Sequence, residues 1–276
     1  MPTNTRTLPL LAALLGATAL AAQSYTLSTS ILTNQSARSG GCVGIADMDG
    51  DGLDDLILLH QSKTLSIDYQ NADGSFTSYS YGNVSSSSQW GMAVGDVDND
   101  GHKDFVSGGN GDGVHFVRIS GRGTYTPVTN LNNGNMFMQG MNMMDMNNDG
   151  WLDIFGCHDN AAPRTWLNNG SGSLSYNAWI DYTTSPSSDM SGNYGSTWTD
   201  FDNDGDLDLY ITKCRQGVND ANDPRRWNRL FVNNGSNAYS DQAAAYGVQN
   251  KEQSWSSDFA DIDNDGDLDL ITVNHS

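Results

Sequence analysis

Short apolar runs recur along the chain in pairs, and an acidic segment separates the two runs of each pair. In the first pair, Val43 and Ile45 alternate with smaller residues before the segment, and the run DLILLH follows it. One apolar residue always stands two positions before the acidic segment, and another stands directly after it. The residues before it are Ile45, Val94, Met143, Trp198 and Phe259, and those after it are Leu56, Phe105, Ile154, Leu209 and Leu270. This pattern predicts two strands joined by each acidic segment.

A second pair of strands is indicated after each of the first four pairs. The signal is a cluster of Asn, Asp, Ser and Gly residues that ends at an aromatic or apolar residue, which is typical of a hairpin turn. These clusters are NADGSF ending at Phe76, SGRGTY ending at Tyr125, NNGSGSL ending at Leu174 and NNGSNAY ending at Tyr239. Each unit is therefore predicted to be a four-stranded antiparallel meander. A single sheet cannot bury both of its faces, so neighbouring units are expected to stack and share their cores.

The acidic segments are five copies of one nonapeptide, D-x-[DN]-x-D-G-x-x-D, which we number as loop positions 1 to 9. Carboxylates at positions 1, 3 and 5 can converge because the chain turns sharply at the glycine of position 6, and the aspartate at position 9 closes the shell. The predicted metal ligands are Asp47, Asp49, Asp51 and Asp55; Asp96, Asp98, Asp100 and Asp104; Asp145, Asn147, Asp149 and Asp153; Asp200, Asp202, Asp204 and Asp208; and Asp261, Asp263, Asp265 and Asp269.

Ligand sets made only of oxygen suit a hard divalent cation, and we expect Ca²⁺ in up to five sites. Asn147 supplies an oxygen without a charge, so the third site is expected to bind more weakly. Asp, Asn and Gly are also ordinary turn residues, but five copies at one spacing favour a metal. An EF-hand is excluded because its loop needs Glu at position 12. That position holds Leu58, Ser107, Gly156, Ile211 and Thr272.

The nonapeptides begin about 50 to 60 residues apart, a period that fits the four strands of a β-propeller blade. With these loops, the chain resembles the FG-GAP/VCBS family of calcium-loop propellers, which includes the integrin α-chain propellers. The stretch NRLFVNNGSNAYSDQAAAYGV and the following SWSSDFADIDNDGDLDL are similar to a secreted subgroup often joined to an ASPIC/UnbV domain. The resemblance implies an all-β propeller with calcium loops on one face and recognition on the other, and it implies no single activity.

The predicted propeller occupies residues 22–276 and is incomplete, with about five blades or four and a half in an open arc. Its units lie near residues 41–89, 90–138, 139–193 and 194–254, with a partial unit at 255–276. Residues 25–33 are expected to form an outermost strand that closes a blade. Because the last unit stops after its second strand, we expect the chain to be a C-terminally truncated piece of a larger propeller, by analogy with the family.

Residues 1–21 are predicted to be a secretory signal peptide. Arg6 lies in a short polar region, an apolar run extends from Leu8 to Leu20, and Ala19-Leu20-Ala21 provides small residues for cleavage. The alternative is a membrane anchor, but the run is shorter than a bilayer requires. We therefore expect a secreted protein, extracellular or periplasmic, without membrane insertion. Export would also supply the calcium that the loops need.

The chain has 33 acidic and 13 basic residues and a formal net charge of −20. Most of the acidic residues belong to the nonapeptides, so bound calcium would offset much of this charge. An acidic surface still argues against nucleic acid and anionic membranes as partners.

The chain contains three cysteines. Cys157 and Cys214 follow equivalent strands of neighbouring units, so oxidising conditions would permit a bridge between them, although strict disulfide geometry makes two free thiols the alternative. Cys42 is expected to be a small buried residue.

A basic segment between Lys213 and Arg229 is the longest loop predicted on the face opposite the calcium loops. Arg215, Arg225, Arg226 and Trp227 are its candidate ligand-binding residues, because arginine pairs with carboxylates and sulfates and tryptophan can stack on a sugar ring. The alternative is that these arginines pair with Asp220 and Asp223 and brace the loop.

Two further groups of residues are expected to pack within or between blades. The Met-rich run from Met136 to Met146 alternates in step with the core positions of the other units. Trp90, Tyr194 and Trp255 each stand six residues before a nonapeptide. An aromatic rim at this position would also suit carbohydrate.

We expect a binding or adhesion module for an extracellular protein or glycan and not an enzyme. No catalytic residue is predicted, because neither a G-x-S-x-G nor an H-E-x-x-H motif is present. The alternatives are a polysaccharide lyase or hydrolase and a structural spacer within a larger surface protein.

Overall fold

The computed structural model describes residues 29–32, 42–61, 63–131 and 136–275. The described part of the chain is all-β, apart from two 3-10 turns at Thr29–Ile31 and Pro224–Arg226. Among these residues no helix has the length and apolar character needed to cross a bilayer. The predicted signal peptide at residues 1–21 lies outside the described residues.

Four antiparallel four-stranded sheets follow one another along the chain, and we call each a blade. The first blade contains β1 (Val43–Ala46), β2 (Asp55–His60), β3 (Thr64–Gln70) and β4 (Phe76–Asn83). The second contains β5 (Gln89–Gly95), β6 (Asp104–Gly109), β7 (Val114–Val117) and, further along the chain, β10 (Thr129–Asn130). The third contains β11 (Met138–Met144), β12 (Asp153–His158), β13 (Arg164–Asn168) and β14 (Leu174–Asn177). The fourth contains β15 (Asn193–Thr199), β16 (Asp208–Lys213), β17 (Arg229–Asn233) and β18 (Tyr239–Asp241). The predicted meander is confirmed.

A fifth sheet has two strands in the described part of the chain, β19 (Ser254–Ala260) and β20 (Asp269–Asn274). In all five sheets the nonapeptide joins the first strand, which we call the inner strand, to the second, as the sequence predicts. The sheets form an incomplete propeller of four full blades and one half blade.

The second blade differs from the prediction in its outer strand. The turn SGRGTY does make a hairpin, but its strands β8 (Ile119–Gly121) and β9 (Thr124–Tyr125) pair only with each other. β7 ends at Val117, and the fourth strand is instead supplied by β10, in which Thr129 pairs with Phe116. The hairpin therefore lies outside the sheet, where it can contact residues of the first blade.

Apolar residues from adjacent sheets meet in four successive cores. The first contains Ile57 of the first blade with Phe105 of the second, and the others join each sheet to the next in the same way. Met136, Met138 and Met141 are buried in the core between the second and third blades, which confirms the packing role of the Met-rich run. Neighbouring blades thus complete each other's cores, at about 1.5–3 kcal/mol for each large side chain removed from water.

The two ends of the arc expose the faces that neighbouring blades cover elsewhere. Ile45 is 73% exposed, whereas its counterpart Val94 packs against the core of the preceding blade. Ile271 is 52% exposed, although its counterparts are all buried. Those counterparts are Ile57, Val106, Phe155 and Tyr210. Within the described residues the arc is therefore open at both ends.

One smaller expectation does not match the structure, and of the two alternatives for Cys157 and Cys214 the structure has the free thiols. Thr29–Ile31, inside the segment expected to form an outer strand, is a 3-10 turn, and the rest of residues 25–33 apart from residue 32 lies outside the described residues. Cys157 and Cys214 are both free. Cys157 is buried in the core between the third and fourth blades. The Sγ of Cys214 instead accepts a hydrogen bond from Trp255 Nε1 at 3.3 Å, so the two thiols lie in different environments. Cys42 is buried, as expected.

Candidate metal centres

Each nonapeptide is shaped by its first aspartate, which accepts hydrogen bonds from the backbone of the same loop. In the first loop, Asp47 Oδ1 accepts from Gly50 N at 2.8 Å and Oδ2 accepts from Gly52 N at 2.9 Å. The chain can bend this tightly because positions 4 and 6 have left-handed backbone angles. Position 4 holds Gly50, Asn99, Asn148, Asn203 and Asn264, with φ between 57° and 74°. Glycine and asparagine tolerate this region best.

Four of the five loops bring three carboxylates together. In each, one oxygen from every member lies within 4.8 Å of the others. The clusters are Asp47, Asp49 and Asp55; Asp96, Asp98 and Asp100; Asp200, Asp202 and Asp208; and Asp261, Asp263 and Asp265. Three carboxylates held this close repel one another unless a cation lies between them. The oxygens suit a hard divalent ion such as calcium.

The third loop does not form such a carboxylate cluster in the described residues. Its position 3 is Asn147, whose Oδ1 accepts from Asp149 N at 3.1 Å while its Nδ2 donates to Asp149 Oδ2 at 3.0 Å. The amide of Asn147 therefore uses Oδ2 of Asp149, another predicted ligand, as its hydrogen-bond acceptor. This geometry is consistent with the expectation that the third site binds calcium more weakly.

In the first four loops the aspartate at position 9 is buried, and it accepts backbone hydrogen bonds from its own loop and from a later segment of the same unit. Asp208 Oδ1 accepts from Asn233 N of β17 at 2.8 Å, and Asp104 Oδ1 accepts from Ile119 N at 2.8 Å. Burial raises the pKa of Asp104 and of Asp208 to about 7, against the lowering effect of these backbone donors. A nearby divalent cation would favour the ionised form of both groups.

Two carboxylate oxygens at position 3 provide a direct test of whether the loops fit a cation. Asp49 Oδ1 and Asp98 Oδ1 are buried and accept no hydrogen bond. An ionised oxygen left buried without a partner costs free energy, and a metal ion in the loop would remove that cost. The donor set, the convergence and these two oxygens all fit calcium.

Arginines of the second unit hold the opposite oxygens of the same two aspartates. Arg118 Nε forms an ion pair with Asp98 Oδ2 at 3.1 Å. Arg122, in the hairpin that leaves the second blade, pairs with Asp49 Oδ2 and, at 2.7 Å, with Asp51 Oδ2. Each arginine thus holds Oδ2 of the position-3 aspartate and leaves its Oδ1 without a hydrogen-bond partner, as partners behind metal ligands do. Sequence reasoning missed both residues, because only the fold brings this hairpin to the loops.

The basic segment predicted for ligand binding is braced by its own acidic residues. Arg225 makes a two-pronged contact with Asp223, with Nε–Oδ1 at 2.9 Å and Nη2–Oδ2 at 2.6 Å. Arg226 Nη1 donates to Asn219 O at 2.8 Å, and Trp227 Nε1 donates to Ala221 O at 2.8 Å.

Arg215 of this segment contacts Asp159 of the third blade at 3.3 Å. The segment is therefore folded onto the protein, as in the bracing alternative, although Asp223 and not Asp220 is the partner.

One family model matches the chain, described as "FG-GAP-like repeat". It matches three overlapping segments, residues 47–107, 96–156 and 145–211, each running from one nonapeptide through the next. No curated protein matches the chain by sequence.

The solved structures that match the chain include two proteins of known description. One is a lectin from Agrocybe aegerita described by its recognition of non-reducing terminal N-acetylglucosamine, with 18% identity and a TM-score of 0.56 over 86% of this chain and 61% of the lectin. The other is the V. cholerae biofilm matrix protein Bap1, with 19% identity and a TM-score of 0.41 over 71% of this chain and 27% of Bap1. The chain thus spans less than two thirds of either protein. The lectin supports the propeller-like fold.

Proposed function

The chain belongs to the FG-GAP-like repeat family, and on that premise we propose that it is a secreted, calcium-stabilised module that binds an extracellular glycan or protein. The observation that carries the proposal is the set of converging carboxylates in the nonapeptides, with the buried, unpartnered oxygens of Asp49 and Asp98. The signal peptide predicted at residues 1–21 supports the compartment, where calcium is plentiful. We propose binding as the activity, without a catalytic role.

Calcium would act on stability, because each loop joins two strands of a blade. Binding to the folded state alone adds about 2.7 kcal/mol for each site when free ion is about 100 times its dissociation constant. Several such sites equal or exceed the net stability of an ordinary domain. The ligand-binding face would then exist only in the calcium-loaded protein.

The first test compares the melting temperature of residues 22–276 in millimolar calcium with that in excess chelator. We expect a loss of more than about 10 °C on chelation, since several sites act together. Magnesium at the same concentration is the control and should restore little, because it prefers smaller octahedral sites and keeps its waters. Equal melting temperatures in calcium and chelator would contradict the proposal.

The second test is retention of the calcium-loaded protein on immobilised extracellular polysaccharides and matrix proteins. We expect retention on at least one surface and release by chelator. Absence of retention on every surface would refute the binding role while leaving calcium stabilisation intact.

A further inference from the structure

A groove of about 490 Å³ lies at the end of the inner strands opposite the calcium loops. Its wall contains Trp90, Phe137, Tyr194 and Trp255, and we call it the aromatic groove. Trp90 and Trp255 remain 45% and 48% exposed. Large aromatic side chains left half exposed together are unusual on a protein surface and are typical of recognition sites.

The side chains in the groove are placed by one repeated irregularity of the inner strands. Each inner strand after the first has a β-bulge near its start, where the register shifts between the first and third residues. The bulged residues are Trp90, Gln139, Tyr194 and Trp255. A bulge leaves its extra residue unpaired in the ladder and re-aims its side chain. The repeat therefore turns one column of side chains into the groove.

The rings are ordered against each other before any ligand binds. Trp90 and Phe137 meet edge to face with centroids 5.2 Å apart, and Tyr194 and Trp255 stack with centroids 6.2 Å apart at 16°. The Nε1 of Trp255 is fixed by its hydrogen bond to Cys214 Sγ. Rigid rings lose little conformational entropy when a ligand covers them.

A carboxylate stands beside the rings in a fixed position. Asp159 is 9% exposed, with Oδ1 at 3.3 Å from Arg215 Nη1 and Oδ2 at 3.3 Å from Gln139 Nε2. Each carboxylate oxygen can accept more than one hydrogen bond, so Asp159 can still accept from a ligand hydroxyl. Arg215 offsets its charge, and the side chains of Gln216 and Asn219 at the rim add amide groups.

We propose that the aromatic groove binds a neutral pyranose residue of an extracellular glycan. A pyranose ring presents C–H groups to an aromatic face and hydroxyls to a carboxylate and amides, which are the two kinds of surface that the groove combines. Its size suits one or two sugar rings. A polyanionic glycan is disfavoured because the chain carries a net charge of −20 and Asp159 stands in the wall. This inference rests on the proposed binding function and assigns it a site and a ligand class.

The test uses the calcium-loaded chain and three neutral probes: chitotriose, cellotriose and mannotriose. Binding is measured by calorimetry and by tryptophan fluorescence. We expect one probe at least to bind, and Trp255→Ala and Trp90→Ala each to weaken its binding by about tenfold or more, as for an aromatic centre of an interface. Asp159→Asn should weaken it as well, and Trp255→Phe should retain part of the affinity because a flat ring remains.

The matched control is Tyr125→Ala, which removes an equally exposed ring from the outer hairpin of the second blade. It should change sugar binding by less than about twofold. Far-UV circular dichroism and the calcium-loaded melting temperature establish that each variant is folded. If one of the two alanine variants fails to fold, the inference is tested with the other alanine variant and with Trp255→Phe. Weaker quenching by the probe than in the wild type then supports the inference.

Three results would overturn the inference: no response to any neutral probe at millimolar concentration, unchanged affinity in both tryptophan variants, or binding only to a protein partner. In each case calcium-dependent stability and retention on immobilised ligands could persist, so the proposed function would stand without this site. Loss of calcium dependence and of all retention would instead refute the proposed function itself.

Discussion

The aspartate at loop position 9 accepts backbone hydrogen bonds and is also a predicted metal ligand. Asp208 accepts backbone hydrogen bonds from Phe201 N and from Asn233 N, so it fastens the loop to β17. Its counterpart Asp269 accepts from Ile262 N at 3.0 Å, but among the described residues the fifth sheet has no third strand to supply a second donor of this kind. The two aspartates differ in their backbone donors, so comparing them in chelator isolates the contribution of the contact to the third strand.

We predict that Asp208→Asn lowers the free energy of unfolding in chelator by about 2 kcal/mol, because the amide group cannot accept both donors and leaves a buried N–H unpaired. Asp269→Asn is the matched control and should cost less than half as much. Urea unfolding of both variants, without and with calcium, measures the two effects. Equal costs in chelator would show that the link to the third strand contributes nothing.

Lys213 is a buried cation outside the metal loops. Its Nζ donates to Met190 O, Ser191 O and Asn193 Oδ1 at 2.7 to 3.2 Å. Burial lowers the pKa of Lys213 from 10.5 to about 7, and the nearby Arg229 adds to this lowering. Below pH 7 both folded and unfolded states hold the proton and the folded state bears the full burial penalty. Between pH 7 and 10.5 that penalty declines as pH rises.

We therefore predict that the wild type gains stability relative to Lys213→Met by about 1.4 kcal/mol for each pH unit between pH 7 and 9. Urea unfolding at several pH values in saturating calcium measures this difference. Lys251→Met, which removes an exposed lysine, is the control for the loss of a lysine charge at the surface. A constant difference for Lys213→Met would mean that its three acceptors keep the ammonium charged.

Among structural elements, the inner strands of the second and third blades approach each other so closely that glycine is required at Gly91. A Cβ added at Gly91 would lie 2.9 Å from the backbone of Gly140 on the neighbouring blade. The same atom added at Gly140 would lie 3.4 Å from Tyr194 O, which is a tolerable contact.

We predict that Gly91→Ala lowers the free energy of unfolding by about 1–3 kcal/mol, because two blades must separate to admit the methyl group. Gly140→Ala should lower it by less than about 1 kcal/mol. Chemical unfolding of the two calcium-loaded variants compares them. If Gly91→Ala costs no more than Gly140→Ala, the backbone contact between these blades is not close-packed.

Repetition explains which elements could be predicted from the sequence. The apolar columns beside the nonapeptides, including Val94 and Phe105, indicate strand pairs because five copies align them. The hairpin at SGRGTY carries a correct turn signal, but the signal does not say whether its strands join the blade. The blade takes its fourth strand from β10 instead, and a strand of two residues is too short to be recognised in the sequence.

Some residues of the candidate sites could be predicted from the sequence and others could not. The predicted metal ligands follow from local spacing, because each loop closes on itself within nine residues. Arg118 and Arg122 could not be found, since they reach the loops through tertiary contacts. The aromatic column was visible in the sequence at Trp90, Tyr194 and Trp255, whereas Asp159 and Arg215 come to it from other strands and loops.

At the scale of the whole molecule, the open arc makes stability a sum of neighbouring contacts. Each core joins only adjacent sheets, and each nonapeptide lies within its own sheet. Such quasi-linear arrangements unfold from their least stable end. The fifth sheet has two strands and exposes Ile262, Ile271 and Val273, so it is expected to be the first to open when calcium is removed.

The inner strands have a consequence for how calcium would influence ligand recognition. In the last four sheets each inner strand has seven residues, with a nonapeptide at one end and the bulged side chain near the other. An inner strand packed against its neighbours has no second conformation through which a bound ion could change the side chains of the aromatic groove. The calcium concentration would then set the fraction of molecules that are folded and able to bind. The affinity of each folded molecule for its sugar would stay the same.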